Sequence, residues 1–541
     1  MAWLAIMTRP ETSAGEALVF LLEAYGVRTI FGIPGVHNVE MYRALPRSGI
    51  RHILARHEQG AGFMADGYAR AAGRPGVCFT ITGPGLTNIM TAMGQAWSDS
   101  SPILVISSAL DTGDAAQGRG RLHEMVNQLA GARAVTVFAR AASTAQDVQD
   151  ALAEAFAGFA SSRPRPAYLE IPLDLLNQPA GPGWQPRGLP DRPQAAASQL
   201  EAAAALLAGA ATPMIILGGG ALEAGAAALT IAEKLGAPIV TTTAGKGAVP
   251  EAHPLCYGYR LSSAAMQAKL RDTDVVLAAG TELSETDFWT SSFRFPGRLI
   301  RIDLDPANLA RPHAAAVPIL ADAASTLTAI AAALTGRPAD HARAAASAVA
   351  DFKALEQAHE TPLRSQLRQV LAVIRDALPA DTVVASDMTQ IAYAANAIFP
   401  AQTARSWLHP VGFGTLGFAL PAGIGAAFAT PGKPVAVLAG DYGFQYTANE
   451  LGTAAEHQLP LIILLWNNEA LGQIRDDMVN KGIQPNAVTL KNPDFLTLAL
   501  AYGIPASRPP SLKALGAAIR AALEAKGPAL IEMTPRMDGF A

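Results

Sequence analysis

Leu438-Ala-Gly-Asp-Tyr-Gly-Phe-Gln-Tyr-Thr-Ala-Asn-Glu-Leu451, running on to Leu464-Leu-Trp-Asn-Asn468, decides the reading of this chain. An apolar strand delivers a Gly-Asp turn. A helix is expected over Ala448–His457, and a second apolar run, Pro460 to Leu465, ends in paired amides. One strand–helix–strand unit thus separates Asp441 from Asn468. It places a carboxylate and an amide oxygen at the same carboxyl edge of a parallel sheet, where such sheets bind ligands. Two hard oxygens with a backbone carbonyl suit Mg²⁺ or Ca²⁺ holding a diphosphate. Free amides at the glycine-rich turn cradle phosphate oxygens. The competing reading is a buried Asp that caps a helix.

The same block occurs twice more. Gly76 to Ile81, Gly83-Pro-Gly85, a helix from Asn88 to Trp97 and Pro102 to Ile106 form one copy. Pro213 to Leu217, Gly218-Gly-Gly220, a helix from Ala221 to Leu235 and Pro238 to Val240 form the other. Continuous apolar strands alternating with helices predict parallel sheets covered on both faces. Pro179 to Pro190 is rich in Pro and Gly, and Thr335-Gly-Arg-Pro338 opens a second linker that runs through a helical stretch to about Pro362. The expected architecture is α/β, with three doubly wound parallel-sheet domains over 1–180, 191–335 and 360–541. Gly218–Gly220 lacks a clean Gly-x-Gly-x-x-Gly pattern, so tight strand–helix packing explains it better than a dinucleotide loop.

Composition sets bounds. A chain of 541 residues with 50% hydrophobic and 16% charged side chains buries large cores. A net charge of −4 argues against electrostatic nucleic-acid binding. Cys78 and Cys256 suggest neither a disulfide framework nor a zinc site. No apolar run reaches membrane-spanning length. Met1 to Met7 is too short and lacks the basic start of a signal peptide, so a cytoplasmic location is expected.

The Gly-Asp…Asn-Asn arrangement resembles the thiamine-diphosphate signature, Gly-Asp-Gly followed after about 26 residues by Asn-Asn. Tyr442 stands where the signature has Gly, which predicts a reshaped turn, because a Tyr backbone avoids positive φ. Arg56-His-Glu-Gln-Gly-Ala61 follows the strand Ile53-Leu54. An isolated Glu58 there would be a first-turn acid favoured by the helix dipole. The whole segment, however, resembles the acetolactate synthase group of thiamine-diphosphate enzymes. The likeness continues through Phe31-Gly-Ile-Pro-Gly35, Gly83 to Asn88, Ile302-Asp-Leu-Asp-Pro306 and Gly412 to Pro421, in order along nearly the full chain.

The resemblance implies pyrimidine-binding, middle and diphosphate-binding domains. It implies that Asp441, Asn468 and the carbonyl of Ala470 hold Mg²⁺. It implies that Pro34, Thr82, Asn88, Met388, Thr389, Gln390, Gly440, Tyr442, Gly443 and Leu471 line the cofactor. Leu416 would lie beneath it, and the carbonyls of Gly414 and Leu416 would receive the aminopyrimidine's donors. Glu58 would share a proton with the far ring nitrogen. In this family that glutamate comes from one subunit and the diphosphate site from another. A homodimer is then the smallest active unit, and a homotetramer is expected.

The substrate is less clearly written. Synthases carry a channel Trp where this chain has Asp477. The segment that meets FAD in synthases reads Leu283-Ser-Glu-Thr286, which makes FAD doubtful. Val36 stands where pyruvate decarboxylases have a catalytic Asp, and Ile474 where they have a second Glu. Asp476, Asp477, Glu282, Glu285 and Asp287 are candidates to pair with a cationic substrate tail. The pattern also resembles the 5-guanidino-2-oxopentanoate (2-ketoarginine) decarboxylases, in Ile33-Pro-Gly-Val-His37 and the Gly-Asp-Tyr-Gly turn. His37, His123 and His409 are candidate proton carriers for an aldehyde-forming step. The leading expectation is non-oxidative decarboxylation of a 2-oxo acid. A carboligase of acetolactate synthase type is the alternative, and a non-catalytic cofactor-binding relative or a dinucleotide oxidoreductase stands outside it.

Overall fold

The computed structural model describes residues 12–114 and 117–540, so the Met1–Met7 reading falls outside the described residues. Three six-stranded sheets, parallel at every pairing, carry the chain. The first holds β1 (Thr29–Gly32), β2 (Arg51–Leu54), β3 (Gly76–Thr80), β4 (Ile103–Ala109), β5 (Phe138–Ala141) and β6 (Ala167–Pro172). The second holds β7 (Pro213–Leu217), β8 (Ile239–Thr241), β9 (Cys256–Tyr259), β10 (Val275–Ala279), β11 (Arg298–Asp303) and β12 (Val317–Leu320). The third holds β13 (Val383–Ser386), β14 (Trp407–Leu408), β15 (Val435–Gly440), β16 (Leu461–Trp466), β17 (Ala506–Ser507) and β18 (Ala529–Met533).

The strand orders carry the functional information. The first sheet runs β2-β1-β3-β4-β6-β5 and the third β14-β13-β15-β16-β18-β17, so the two share one topology. The second runs β12-β11-β10-β7-β8-β9, the order of the doubly wound dinucleotide fold. In the first and third sheets the order reverses between the first and third strands. A crevice therefore opens beyond the carboxyl ends of β1 and β3, and of β13 and β15.

Central strands such as β15 and β16 are buried along their whole length, which is why their sequences are unbroken apolar runs. The first and third domains pack helix on helix. Glu58–Ala72, after β2, crosses Ala419–Ala429, after β14. The crossing is backbone-close. A Cβ on Gly67 would sit 2.1 Å from the Ala422 carbonyl oxygen, and one on Gly425 1.9 Å from that of Met64. Only glycine permits that approach.

Three helices differ from the expected spans; the second block's, expected from Ala221, starts at Gly225 after a short 3-10 turn at Gly219–Ala221. The first block's helix starts at Pro84, because proline is pre-organised for the first helical position. The third block's helix starts at Asp441 and breaks into Asp441–Tyr446, Ala448–Glu450 and Leu451–Glu456.

Candidate cofactor site

β15 and β16 run in register to their ends, Gly440 beside Trp466. Asp441 and the Asn467-Asn468 pair therefore emerge side by side. Asp441 is buried, and burial raises its pKa. Its Oδ1 accepts from the Tyr442 amide at 2.9 Å. Its Oδ2 accepts from the Glu469 amide at 2.8 Å and from Asn492 Nδ2 at 2.8 Å. Glu469 adopts φ +55°, a left-handed turn that brings its amide back to Asp441. Asn467 turns inward and donates to Glu532 Oε1 at 2.6 Å. Asn468 donates to Gln390 Oε1 at 3.2 Å, while Gln390 Nε2 donates to Asp476 Oδ2 at 2.8 Å. This chain of amides fixes the Asn468 side chain, with Oδ1 on the Ala470 side, where it accepts from the Ala470 amide at 3.3 Å.

Tyr442 needs no glycine. It lies in the first turn of the right-handed helix Asp441–Tyr446, its ring edge-on to Tyr446 at 5.4 Å. The positions that exclude a side chain are its neighbours. A Cβ at Gly440 would lie 2.7 Å from Thr389 Oγ1, and one at Gly443 2.9 Å from Asp387 Oδ2.

Asp387, which follows β13, escaped the sequence reading. Its fully buried carboxylate accepts from the Met388 amide at 2.8 Å and the Gly417 amide at 3.0 Å, so it ties Met388-Thr389-Gln390 to the Gly414–Gly417 loop. Burial pushes it up to about 6. Gly414 and Gly417 both have positive φ, and Leu416 stands half-buried between them. Segments 387–390, 414–417, 440–443 and 468–471 thus gather at the crevice of the third sheet. Asn492, also missed, lies 51 residues from Asp441 in sequence.

The first sheet's crevice gathers the other predicted residues. Pro34, Val36 and His37 follow β1; Thr82 and Gly83 follow β3. Thr82 is buried, and its amide donates to Ser108 Oγ at 3.0 Å. The His37 and His123 rings meet edge-on at 4.9 Å. Burial, then His123, lowers the pKa of His37 against an opposing pull from Asp111. His37 Nδ1 is buried without a hydrogen-bond partner, an orphan of the kind a bound molecule satisfies. Glu58 opens the helix Glu58–Ala72 and is largely buried, and its Oε2 accepts from Asn88 Nδ2 at 2.9 Å. His409 has a different setting. It bonds Ser386 Oγ at 2.8 Å, and burial lowers its pKa to about 4, so it stays neutral.

The proposed substrate acids separate into two places. Asp477 is exposed on the helix Gly472–Asn480 and accepts from Gln473 at 3.1 Å. Glu282 and Asp287 instead line a cavity of about 460 Å³ between the domains, whose wall includes none of Asp441, Asn468, Asp476 or Asp477. Glu282 is already paired with Arg163 and Arg165. Asp287 accepts from the Ser284 amide and hydroxyl, and burial pushes it up to about 6. Gly219 and Gly220 line this cavity, and a Cβ on Gly218 or Gly220 would meet Gly280 at 2.2 and 2.9 Å, so tight packing accounts for both of those positions.

The residues fit a magnesium diphosphate. Among the described residues no cluster of three His, Cys, Asp or Glu side chains is placed to hold a metal. A carboxylate, an amide oxygen and a backbone carbonyl form the mixed hard-oxygen set that Mg²⁺ accepts when phosphates and water complete its shell.

Comparison with known families finds matches in all three domains. The N-terminal TPP-binding domain of thiamine pyrophosphate enzymes matches residues 12–131, the central domain 200–330 and the C-terminal TPP-binding domain 387–533. The chain belongs to the thiamine pyrophosphate enzymes. It is 48% identical over 531 residues to the "Probable 2-ketoarginine decarboxylase AruI" of Pseudomonas aeruginosa, covering 96% of this chain and 94% of that protein. It is 32% identical over 525 residues to the "Probable acetolactate synthase large subunit" of Methanocaldococcus jannaschii, covering 91% and 87%. It is 30% identical over 514 residues to the Escherichia coli acetolactate synthase isozyme 3 large subunit, covering 91% and 88%.

Proposed function

We propose that this enzyme decarboxylates a 2-oxo acid with a guanidinium tail, 2-ketoarginine being the first to test, to an aldehyde and CO₂. The convergence of four strand-end segments on Asp441 and Asn468 supports the cofactor reading most directly. The likeness to the Pseudomonas protein supports the substrate.

Asp441, Asn468 Oδ1 and the Ala470 carbonyl would hold Mg²⁺, and the amides around Gly440–Gly443 would meet the diphosphate. Leu416 would support the cofactor from below. Bound thiamine diphosphate supplies the electron sink that lets a 2-oxo acid lose CO₂. Glu58, steadied by Asn88, would hold and pass the proton of the aminopyrimidine ring. His37 and His123 would deliver the proton that completes the aldehyde. Asp477 would face the guanidinium.

Glu58 would serve a cofactor held by the partner subunit's third domain. This makes a homodimer the minimal site and fits a homotetramer. A cytoplasmic location completes the reading; no helix among the described residues is long and apolar enough to cross a membrane. The similarity to acetolactate synthases favours a second reading, carboligation of two 2-oxo acids.

Purified holoenzyme assayed for CO₂ release across neutral, acidic and basic 2-oxo acids separates the two. Preference for 2-ketoarginine with aldehyde as product is expected. Preference for pyruvate with a branched acyloin acid as product would establish the ligase instead.

A further inference from the structure

Glu450 is completely buried, yet its carboxylate reaches out of the third domain into the first. Oε1 accepts from the Arg56 amide at 3.0 Å and from the His57 amide at 3.0 Å. Oε2 accepts from Arg56 at 3.1 Å and from Thr453 Oγ1 at 2.9 Å. Arg56 and His57 join β2 to Glu58. One turn on, Gly60 leaves the carboxylate its space, since a Cβ there would stand 2.1 Å from Glu450 Oε1.

The opposite contact has the same design. Asp99 ends the helix after β3 and reaches from the first domain into the third. Oδ2 accepts from the Val411 amide at 3.0 Å and Oδ1 from the Gly412 amide at 2.8 Å. Val411 and Gly412 follow β14, as Arg56 and His57 follow β2, and lead to Gly414 and Leu416. The two sheets share one strand order, so each carboxylate comes from beyond the third strand of its own domain. Each grips two successive amides beyond the second strand of the other. Arg70 and Gln95 hold Asp99 at 2.8 and 2.6 Å, and Gln95 Oε1 accepts from the Thr415 amide at 3.1 Å.

We infer that Glu450 and Asp99 form a reciprocal clamp that positions Glu58 and the Gly414–Leu416 loop from within a single chain. The inference rests on the cofactor roles proposed above for those two segments. Both acids are positioning residues that act through backbone amides. In a dimer with shared sites, Glu58 and Gly414–Leu416 of one chain serve different cofactors, so the clamp ties one site to the other.

The test compares Glu450→Ala, Glu450→Gln, Glu58→Gln and the double variant Glu58→Gln/Glu450→Ala. In Glu450→Gln the new side-chain carbonyl oxygen still accepts from both backbone amides, so that holoenzyme should keep kcat within about 3-fold. Glu450→Ala should lose about 10- to 100-fold in kcat, the scale of a small misplacement. Its KM and cofactor Kd should stay within about 3-fold. Added to Glu58→Gln, the alanine change should cost nothing further. Amide exchange in the cofactor-free protein should quicken over residues 55–60 and stay unchanged over 76–80.

Unchanged kcat in Glu450→Ala, a fully multiplicative double variant or unaltered exchange would each overturn the clamp. If Glu450→Ala does not fold, Glu450→Asp carries the same test, its carboxylate being too short to reach both amides. A Glu58→Gln enzyme at full speed would overturn the underlying role of Glu58, a separate outcome from failure of the clamp.

Discussion

Asn492 Nδ2 donates to Asp441 Oδ2 at 2.8 Å and to Asn467 Oδ1 at 2.9 Å, so one amide links the two strand ends at which the metal would sit. Gln445 Nε2 holds Asn492 in turn through its Oδ1 at 3.1 Å. Groups that orient a metal ligand typically contribute about 10- to 100-fold in affinity. Asn492→Ala should weaken Mg²⁺-dependent thiamine-diphosphate binding by that factor in calorimetric titration. Asp441→Ala should abolish metal and diphosphate binding together. Unchanged affinity in both would remove Asp441 from the metal.

Glu58 and Asn88 yield a second expectation. Glu58→Gln should preserve thermal stability and cofactor Kd but lower kcat by about 10²- to 10⁴-fold, the usual range for a lost acid–base group. Asn88→Ala leaves the carboxylate in place but unsteadied, and should cost about 10-fold. Single-turnover rates on saturated holoenzyme would show both. Wild-type rates in Glu58→Gln would refute its role.

Much of this was legible because the relevant spacing is local. Asp441 and Asn468 sit at the two ends of one strand–helix–strand unit, and the register of Gly440 with Trp466 follows from two apolar runs. Tyr442 was legible only in part. Its departure from glycine suggested a reshaped turn, whereas the helix simply begins at Asp441. Asp387, Asn492 and Glu450 were missed because their partners are set by tertiary packing; Glu450 lies 394 residues from Arg56. A signal existed for Asp387, a Ser-Asp step ending an apolar strand just as Gly440-Asp441 does. Glu282 and Asp287 were grouped with Asp477 as acids. The sequence does not say which domain edges face one cavity.

Substrate charge gives a third prediction. Asp476 is committed to Gln390 and Arg475, whereas Asp477 meets only the neutral Gln473 among the side-chain hydrogen bonds described. Asp477→Leu should raise KM for 2-ketoarginine about 10-fold and leave that for an uncharged 2-oxo acid within about 2-fold. Asp476→Asn should act mainly on cofactor affinity, through Gln390 and Asn468. If Asp477→Leu changes both substrates alike, the charge-pairing role fails.

Glu450 and Asp387 together predict how stability depends on pH. Burial pushes Glu450 up to about 7 and Asp387 up to about 6, despite their amide donors. Arg56 and Thr453 pull Glu450 the other way, and Glu456 partly neutralises Arg56. Both carboxyls hold protons in the folded chain at pH values where the unfolded chain has released them. Their contribution is therefore fully present below the ordinary carboxylate range. It is lost as pH rises through about 6 to 7. For Glu450 a shift of this size corresponds to about 3 kcal/mol by pH 8. Glu450→Gln removes that loss without removing the acceptor oxygen. Its Tm relative to the parent should rise between pH 5 and pH 8, and Asp387→Asn should show a smaller rise. Parallel Tm curves for parent and Glu450→Gln across that interval would show that the Glu450 carboxyl ionises as freely in the folded chain as in the unfolded one.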